Sequence, residues 1–238
     1  MKIRGIKSQI KKLAGDFDLR YQKEWFQYLW ISPREEILSE YIGDCPDSIY
    51  WRYGKTKDDK IKNINKFISS KDFKSCLRRV GGSVASRKDM EKELILIKKI
   101  PNEEIKQEML RYHKRIIDKL KKTERVALIT KTKIKKWYNW LMKYGLRHEW
   151  IHILLDKNKI QFQEIKKKLW HYDEGINEYL GAYLDSNLDK LEKFRNKERY
   201  PMEKKNWIYA IKFRKILEGK NTPKDRKKAL IELIKRLR

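Results

Sequence analysis

The residues best suited to chemistry lie at positions 145–156, GLRHEWIHILLD, which hold two of the chain's four histidines. His148 and His152 are four residues apart, so on an α-helix both imidazoles project from one face and can bind one metal ion. Glu149 is rotated by about 100° from His148, which suits a general base for a metal-bound water. The H-E-x-x-H pattern therefore predicts a zinc site with two ligands and one base on a single helix.

The residues around the motif predict that this helix is buried, because they are apolar on nearly every side: Trp150, Ile151, Ile153, Leu154 and Leu155. Polar groups in a buried helix need partners, since an unpaired one costs on the order of a few kcal/mol. A metal would supply one partner for each histidine. The alternative is a structural helix whose histidines bond to carbonyl or carboxylate groups.

A third ligand is expected, because a catalytic zinc typically has three protein ligands and one open position. The metzincin pattern needs a histidine six residues after His152, and Asn158 occupies that position. The other common solution is a glutamate from a following helix. The stretch 170–185, WHYDEGINEYLGAYLD, places Glu174 and Glu178 four apart on one face of a predicted helix. The alternative is that both belong to an ordinary solvated helix face.

These two stretches resemble the gluzincin metallopeptidases. HEWIH matches their H-E-x-x-H, and EGINEYLGAYLD is similar to the E-G-x-x-E-Y segment of aminopeptidase-like members. That resemblance implies Glu174 as the third zinc ligand, 22 residues after His152. GINEYLGA is also similar to the asparagine–glutamate segment of thermolysin-like enzymes, which implies Glu178 instead. INEYLGAYL is similar to a pattern of phage-immunity peptidases. The resemblance covers residues 146–185.

We favour Glu174 as the third ligand, because the Glu-Gly pairing is the closer match. Glu178 would then hold a ligand histidine or the substrate amine. His171 and Asp173 are lesser alternatives, since both residue types bind zinc. The phenols Tyr179 and Tyr183 could donate a hydrogen bond to a developing oxyanion, although the interpretation as core aromatics is favoured.

The predicted function is that of a zinc-dependent metallopeptidase with Zn²⁺ as cofactor and a peptide or protein as substrate. Zinc would lower the pKa of its bound water and polarise the scissile carbonyl. Glu149 would take the proton of the water and pass it to the leaving amine.

The net charge of +27, from 60 Lys and Arg against 33 Asp and Glu, supports a competing interpretation. Such an excess favours anionic partners: nucleic acid, an acidic protein or an anionic membrane surface. The alternative is that this charge reflects the composition of the source proteome. The competing function is a basic module that binds nucleic acid or protein, in which H-E-x-x-H is structural or accidental. The amphipathic stretch 220–238 fits that function, or else docks on the domain with a solvated basic face.

The elements expected to position the site give a mainly α fold, α+β with a small β component. The zincin-like motif helix is followed by a glutamate-bearing helix. Helix starts are predicted at Ser32, Ser86 and Asn102, and RVALIT at 125–130 predicts a strand. The aromatic spacing over 21–29 predicts a helix, and the stretch from Gly81 predicts a loop.

We expect a basic helical region at 1–124 and the metallopeptidase region with its basic C-terminal helix at 125–238. The N-terminus lacks a secretory signal and no apolar stretch is long enough for a membrane span, so a cytoplasmic protein is predicted.

Overall fold

The computed structural model describes residues 3–43, 49–77, 81–132, 135–160, 170–198 and 201–237. The described chain is mainly helical with one small sheet, which confirms the predicted fold class. The strands are β1 (Tyr28–Ile31), β2 (Gly82–Ser86) and β3 (Arg125–Thr130). The helices are α1 (Ile3–Asp16), α2 (Pro33–Ile42), α3 (Lys57–Lys62), α4 (Ile64–Ile68), α5 (Lys71–Cys76), α6 (Arg87–Lys98), α7 (Glu103–Leu120), α8 (Lys135–Trp140), α9 (Leu146–Lys157), α10 (Trp170–Leu184), α11 (Leu191–Lys197), α12 (Pro201–Leu217) and α13 (Pro223–Leu237).

The chain divides into two compact units. One combines Met1–Phe26 with Met142–Arg238, and the other is the continuous segment Gln27–Leu141. The sequence had predicted a division between residues 124 and 125, so the two divisions differ. The difference arises because β3 pairs with β1 and β2, while α1 packs against α9 and α10.

The unit 27–141 is built on a sheet of order β1-β3-β2, in which β3 is parallel to β1 and antiparallel to β2. One face of the sheet carries Ile31, Val126 and Leu128 into the core formed with α2, α6 and α7. A buried aromatic cluster completes this core, with the rings of Tyr41 and Phe67 stacked at 4.1 Å.

Two local predictions in this part of the chain are wrong. The segment predicted as a helix over 21–29 forms a 3-10 turn at Lys23–Trp25 and then strand β1. Its four strand residues alternate, with Tyr28 and Trp30 on one face and Leu29 and Ile31 on the other. The helical spacing that predicted the helix joined residues of the 3-10 turn to residues of the strand. The predicted loop after Gly81 contains β2, which pairs with β3 over its whole length.

The other unit is a helical assembly centred on α9 and α10. Helix α1 buries Ile6, Ile10 and Leu13 and packs against α9 and α10, while α12 packs along α10 and also contacts α11 and α13. The predicted apolar stripe of α13 is docked, since Leu230 and Ile234 are buried. No helix among the described residues is long and apolar enough to cross a membrane.

Candidate metal centre

Helix α9 carries the H-E-x-x-H motif, and its surroundings are as apolar as its sequence predicts. Five of its large apolar side chains are almost fully buried: Trp150, Ile151, Ile153, Leu154 and Leu155. Trp150 packs edge-on against Phe26 at 5.7 Å. This burial fixes the rotation of α9, so the two histidines project together toward α10 rather than into solvent.

His148, His152 and Glu174 meet at one point between α9 and α10. The Nε2 atoms of the two histidines are 3.2 Å apart. The Nε2 atom of His148 is 3.2 Å from Oε2 of Glu174, and the Nε2 atom of His152 is 3.4 Å from Oε1 of the same carboxylate. Among the residues that the structure describes, these three form the one group of potential ligands whose atoms all lie within 4.8 Å of one another.

The spacing of these atoms suits a tetrahedral zinc. Ligand atoms about 2.0–2.1 Å from a tetrahedral ion are about 3.3–3.4 Å from each other. The two Nε2 atoms are 3.2 Å apart, and each lies 3.2 or 3.4 Å from a different oxygen of Glu174. Both histidines offer Nε2, and the glutamate offers an oxygen, which are ligand types zinc prefers. The three side chains are between 16% and 28% exposed, so solvent or a substrate can reach the group from one side.

The electrostatics of the group also suit a cation. Burial alone would lower the pKa of His148, but its hydrogen bond to Glu174 and the negative charges of Glu174, Glu149 and Glu178 raise the pKa to about 10. Burial opposes ionisation of Glu174, yet the two histidines hold its pKa well below the usual range. Three carboxylates thus surround two imidazoles, and their excess negative charge is offset by protons on the imidazoles or by a bound cation.

Glu149 lies on α9 directly after the first histidine and is buried. Burial raises the pKa of its carboxyl group, the charges of His148 and His152 lower it, and Glu174 raises it again. The carboxylate therefore lies within electrostatic reach of both histidines without belonging to the ligand group itself. That is the placement expected of a base beside a metal.

Glu178 lies one helical turn after Glu174 on α10 and is half-buried. Burial raises the pKa of its carboxyl group, and its main charge interaction is with His148. The structure brings it near the histidines but not into the group of three.

The two lesser alternatives for the third ligand lie outside the group. The Nδ1 atom of His171 lies 2.9 Å from Oδ1 of Asn206 on α12. Asp173 is buried and also lies outside the group.

The two tyrosines considered as oxyanion donors lie elsewhere on α10. Tyr183 donates to Oδ2 of Asp16 at 3.2 Å and accepts from Arg226 at 3.4 Å, so its hydroxyl faces α1 and α13. Tyr179 is buried, and burial raises its pKa to about 12. Both project from the side of the helix roughly opposite Glu174. The structure does not bring them to the ligand group: Tyr179 belongs to the buried core, and Tyr183 is half-buried.

Two features that fix α10 against its neighbours were not found from the sequence. Arg147, buried directly before the first histidine, donates two hydrogen bonds of 2.8 and 2.7 Å to the carboxylate of Asp185 after α10. An arginine inside an apolar helix is itself a signal, because it is seldom buried without a partner. On its other side, α10 approaches α12 at Gly175, where an added Cβ would meet Cβ of Tyr209 at 2.4 Å.

Comparison with known protein families, curated proteins and solved structures finds no match for this chain. The relationship to gluzincins therefore stays a prediction that rests on residues 146–185.

Proposed function

We propose that this protein is a zinc-dependent metallopeptidase in which Glu149 is the general base. The observation that carries the proposal is the meeting of His148, His152 and Glu174, from two different helices, at separations suited to one zinc ion. Two residues four apart on one helix can meet by local geometry alone. The third comes from 22 residues further along the chain, which requires α9 and α10 to pack in one particular register.

His148, His152 and Glu174 are the residues that would hold the metal. Zinc, when bound, supplies a water of lowered pKa and polarises a carbonyl group. Glu149 would accept a proton from the attacking water at its carboxylate and would later deliver it to the nitrogen of the leaving amine. A buried carboxylate with a raised pKa is a stronger base than an exposed one, which suits this role. Glu178, beside the histidines, holds a ligand imidazole or the amino group of the substrate.

The first experiment is metal analysis of the purified protein. We expect about one zinc per chain, lost in His148→Ala. His171→Ala is the matched control, because His171 is bonded to Asn206 outside the group and should leave the zinc content unchanged. The proposal would be contradicted if the purified protein contains no metal and takes up none when zinc is added.

The second experiment tests the reaction. Glu149→Gln should keep the zinc and lose hydrolysis of a peptide library by at least about a hundredfold, the usual contribution of a general base. Full activity in that variant would remove Glu149 from the mechanism.

The second candidate function is a basic module that binds nucleic acid or an acidic protein, and it is favoured by the net charge of +27. It predicts no bound metal and binding that weakens steeply with salt. The two candidates are compatible if the metal group and the basic surface lie on different helices.

A further inference from the structure

Within residues 142–238, the net positive charge lies after the site helices. Residues 142–187, which include α9 and α10, contain seven Lys and Arg against seven Asp and Glu. Residues 188–238 contain 18 Lys and Arg against seven Asp and Glu. Within residues 142–238, the excess therefore belongs to the part of the chain that follows the site helices, not to the site.

Helix α12 shows this excess of basic over acidic residues most clearly. Its exposed face carries four lysines, which we call the lysine face: Lys204, Lys205, Lys212 and Lys215. They fall within about 100° of one another around the helix and span about 16 Å along it. The opposite face is buried through Ala210, Phe213 and Leu217. Between residues 204 and 217 the sequence has no Asp or Glu.

The lysine face is not neutralised by neighbouring helices. None of its four ammonium groups has a carboxylate partner among the side chains that the structure describes. Lysines elsewhere do, as with Lys99 and Asp58 at 2.9 Å or Lys121 and Asp118 at 2.7 Å. Lys212 packs on an aromatic ring instead, with its Nζ 4.6 Å from the ring centre of Tyr209. Unpaired cations at this density favour a partner with closely spaced negative charges.

We propose that the lysine face binds the phosphate backbone of a nucleic-acid duplex without reading its sequence. A duplex carries about one charge per 1.7 Å of its axis, so a stripe of about 16 Å faces several phosphates. Lysine binds phosphate as a mobile point charge, whereas base recognition depends on the fork of arginine or on an amide. The one arginine of this stretch, Arg214, is instead used internally and donates to the carbonyl of Leu188 at 2.8 Å.

The composition of the face argues against the other anionic partners. A helix that lies in a membrane surface needs several large apolar residues beside its cations, and among the described residues of this face one such side chain, Ile208, is exposed, by 37%. Protein interfaces are depleted in lysine and depend on apolar or arginine anchors at their centre. The proposal is independent of the metal group, because none of the four lysines belongs to the group formed by His148, His152 and Glu174.

The test is the salt dependence of binding to a labelled duplex of about 20 base pairs, measured by fluorescence anisotropy between about 50 and 200 mM salt. The variant changes all four lysines of the face to glutamine. Each phosphate contact contributes about 0.9 to the slope of log K against log salt, so we expect the slope to fall by about three to four in magnitude. A DNA duplex and an RNA duplex are both used, and two unrelated sequences of each should bind equally.

The matched control changes four lysines that already have carboxylate partners, Lys99, Lys106, Lys121 and Lys228, to glutamine. It removes the same total charge, so a similar loss in both variants would show that net charge alone drives binding and would overturn the proposal. Unchanged binding in the lysine-face variant would also overturn it, as would tighter binding of the wild type to anionic vesicles or polyglutamate than to either duplex. Circular dichroism checks that both variants are folded.

Discussion

Gly175 of α10 lies against Tyr209 of α12 with no room for a side chain between the two helices. A Cβ at position 175 would lie 2.4 Å from Cβ of Tyr209 and 3.1 Å from its backbone carbon. The clash involves backbone and the first side-chain atom, which cannot rotate away. This close approach holds in place the helix segment that bears the neighbouring Glu174.

We therefore expect Gly175→Ala to destabilise the fold by about 1–3 kcal/mol, although alanine favours a helix over glycine by about 1 kcal/mol. Gly181→Ala is the control in the same helix, because its nearest neighbour, Nη2 of Arg147, would be 3.9 Å away. That variant should be neutral or slightly more stable. Urea unfolding of both variants measures the difference, and equal effects would contradict the packing argument.

The choice of third ligand gives a second prediction. Glu174→Gln should weaken zinc binding by at least about tenfold, because a neutral amide replaces the charged oxygen ligand. Glu178→Gln, one turn away on the same face, should retain most of the affinity. Competition with a chromogenic chelator measures both. The reverse order would make Glu178 the ligand.

The buried bridge between Arg147 and Asp185 gives a third prediction. Arg147→Lys loses the two-pronged hydrogen bond and should cost about 2–4 kcal/mol of unfolding free energy. Arg195→Lys, in the more exposed pair with Glu192, should cost less than about 1 kcal/mol. Chemical denaturation compares the two, and a similar small loss in both would mean that burial adds nothing to the bridge.

Glu93 of α6 gives a prediction about pH. Burial raises its pKa to about 7 from the ordinary 4.5, although a hydrogen bond from Ser39 opposes the shift. The folded chain therefore keeps a proton that the unfolded chain has lost between these values. Its contribution to stability is full below about pH 4.5 and is lost as the pH rises through 7, by roughly 3 kcal/mol.

Glu93→Gln should remove this loss and make the protein more stable than the wild type at pH 8. Thermal unfolding at pH 5 and pH 8 tests it, with Glu91→Gln on the exposed side of the same helix as control. A wild type whose stability does not fall over this range would contradict the shift.

The local features of the fold were predictable where side chains act on their own backbone. Ser32 and Ser86 begin helices as predicted, each through a capping box, and Asn102 caps α7. Strand β3 covers the six residues predicted for it. Strands β1 and β2 were missed because their stability comes from pairing with β3, about 40 to 100 residues away along the chain, and not from a local pattern.

The same distinction between local and long-range contacts decides which parts of the candidate site could be predicted from the sequence. The sequence named both histidines, because their spacing is a property of one helix. The sequence could only favour Glu174 over Glu178, because both lie on one face of α10. Which of them meets the histidines depends on the position of α10 along its axis relative to α9. Arg147 with Asp185 fixes α10 against α9, and Gly175 with Tyr209 fixes α10 against α12; both are contacts between distant parts of the chain. Whether the group binds zinc stays a prediction.

The packing of α1 has a consequence for the order of events on the ribosome. Its partners α9 and α10 begin more than 120 residues after it ends, as the hydrogen bond from the Arg20 backbone to Asn158 illustrates. At about 5–20 residues per second, the first helix is synthesised many seconds before the surface that buries its apolar stripe. The continuous segment 27–141 can fold in that interval, so the nascent chain exposes Ile6, Ile10 and Leu13 while it waits, where a chaperone can bind them.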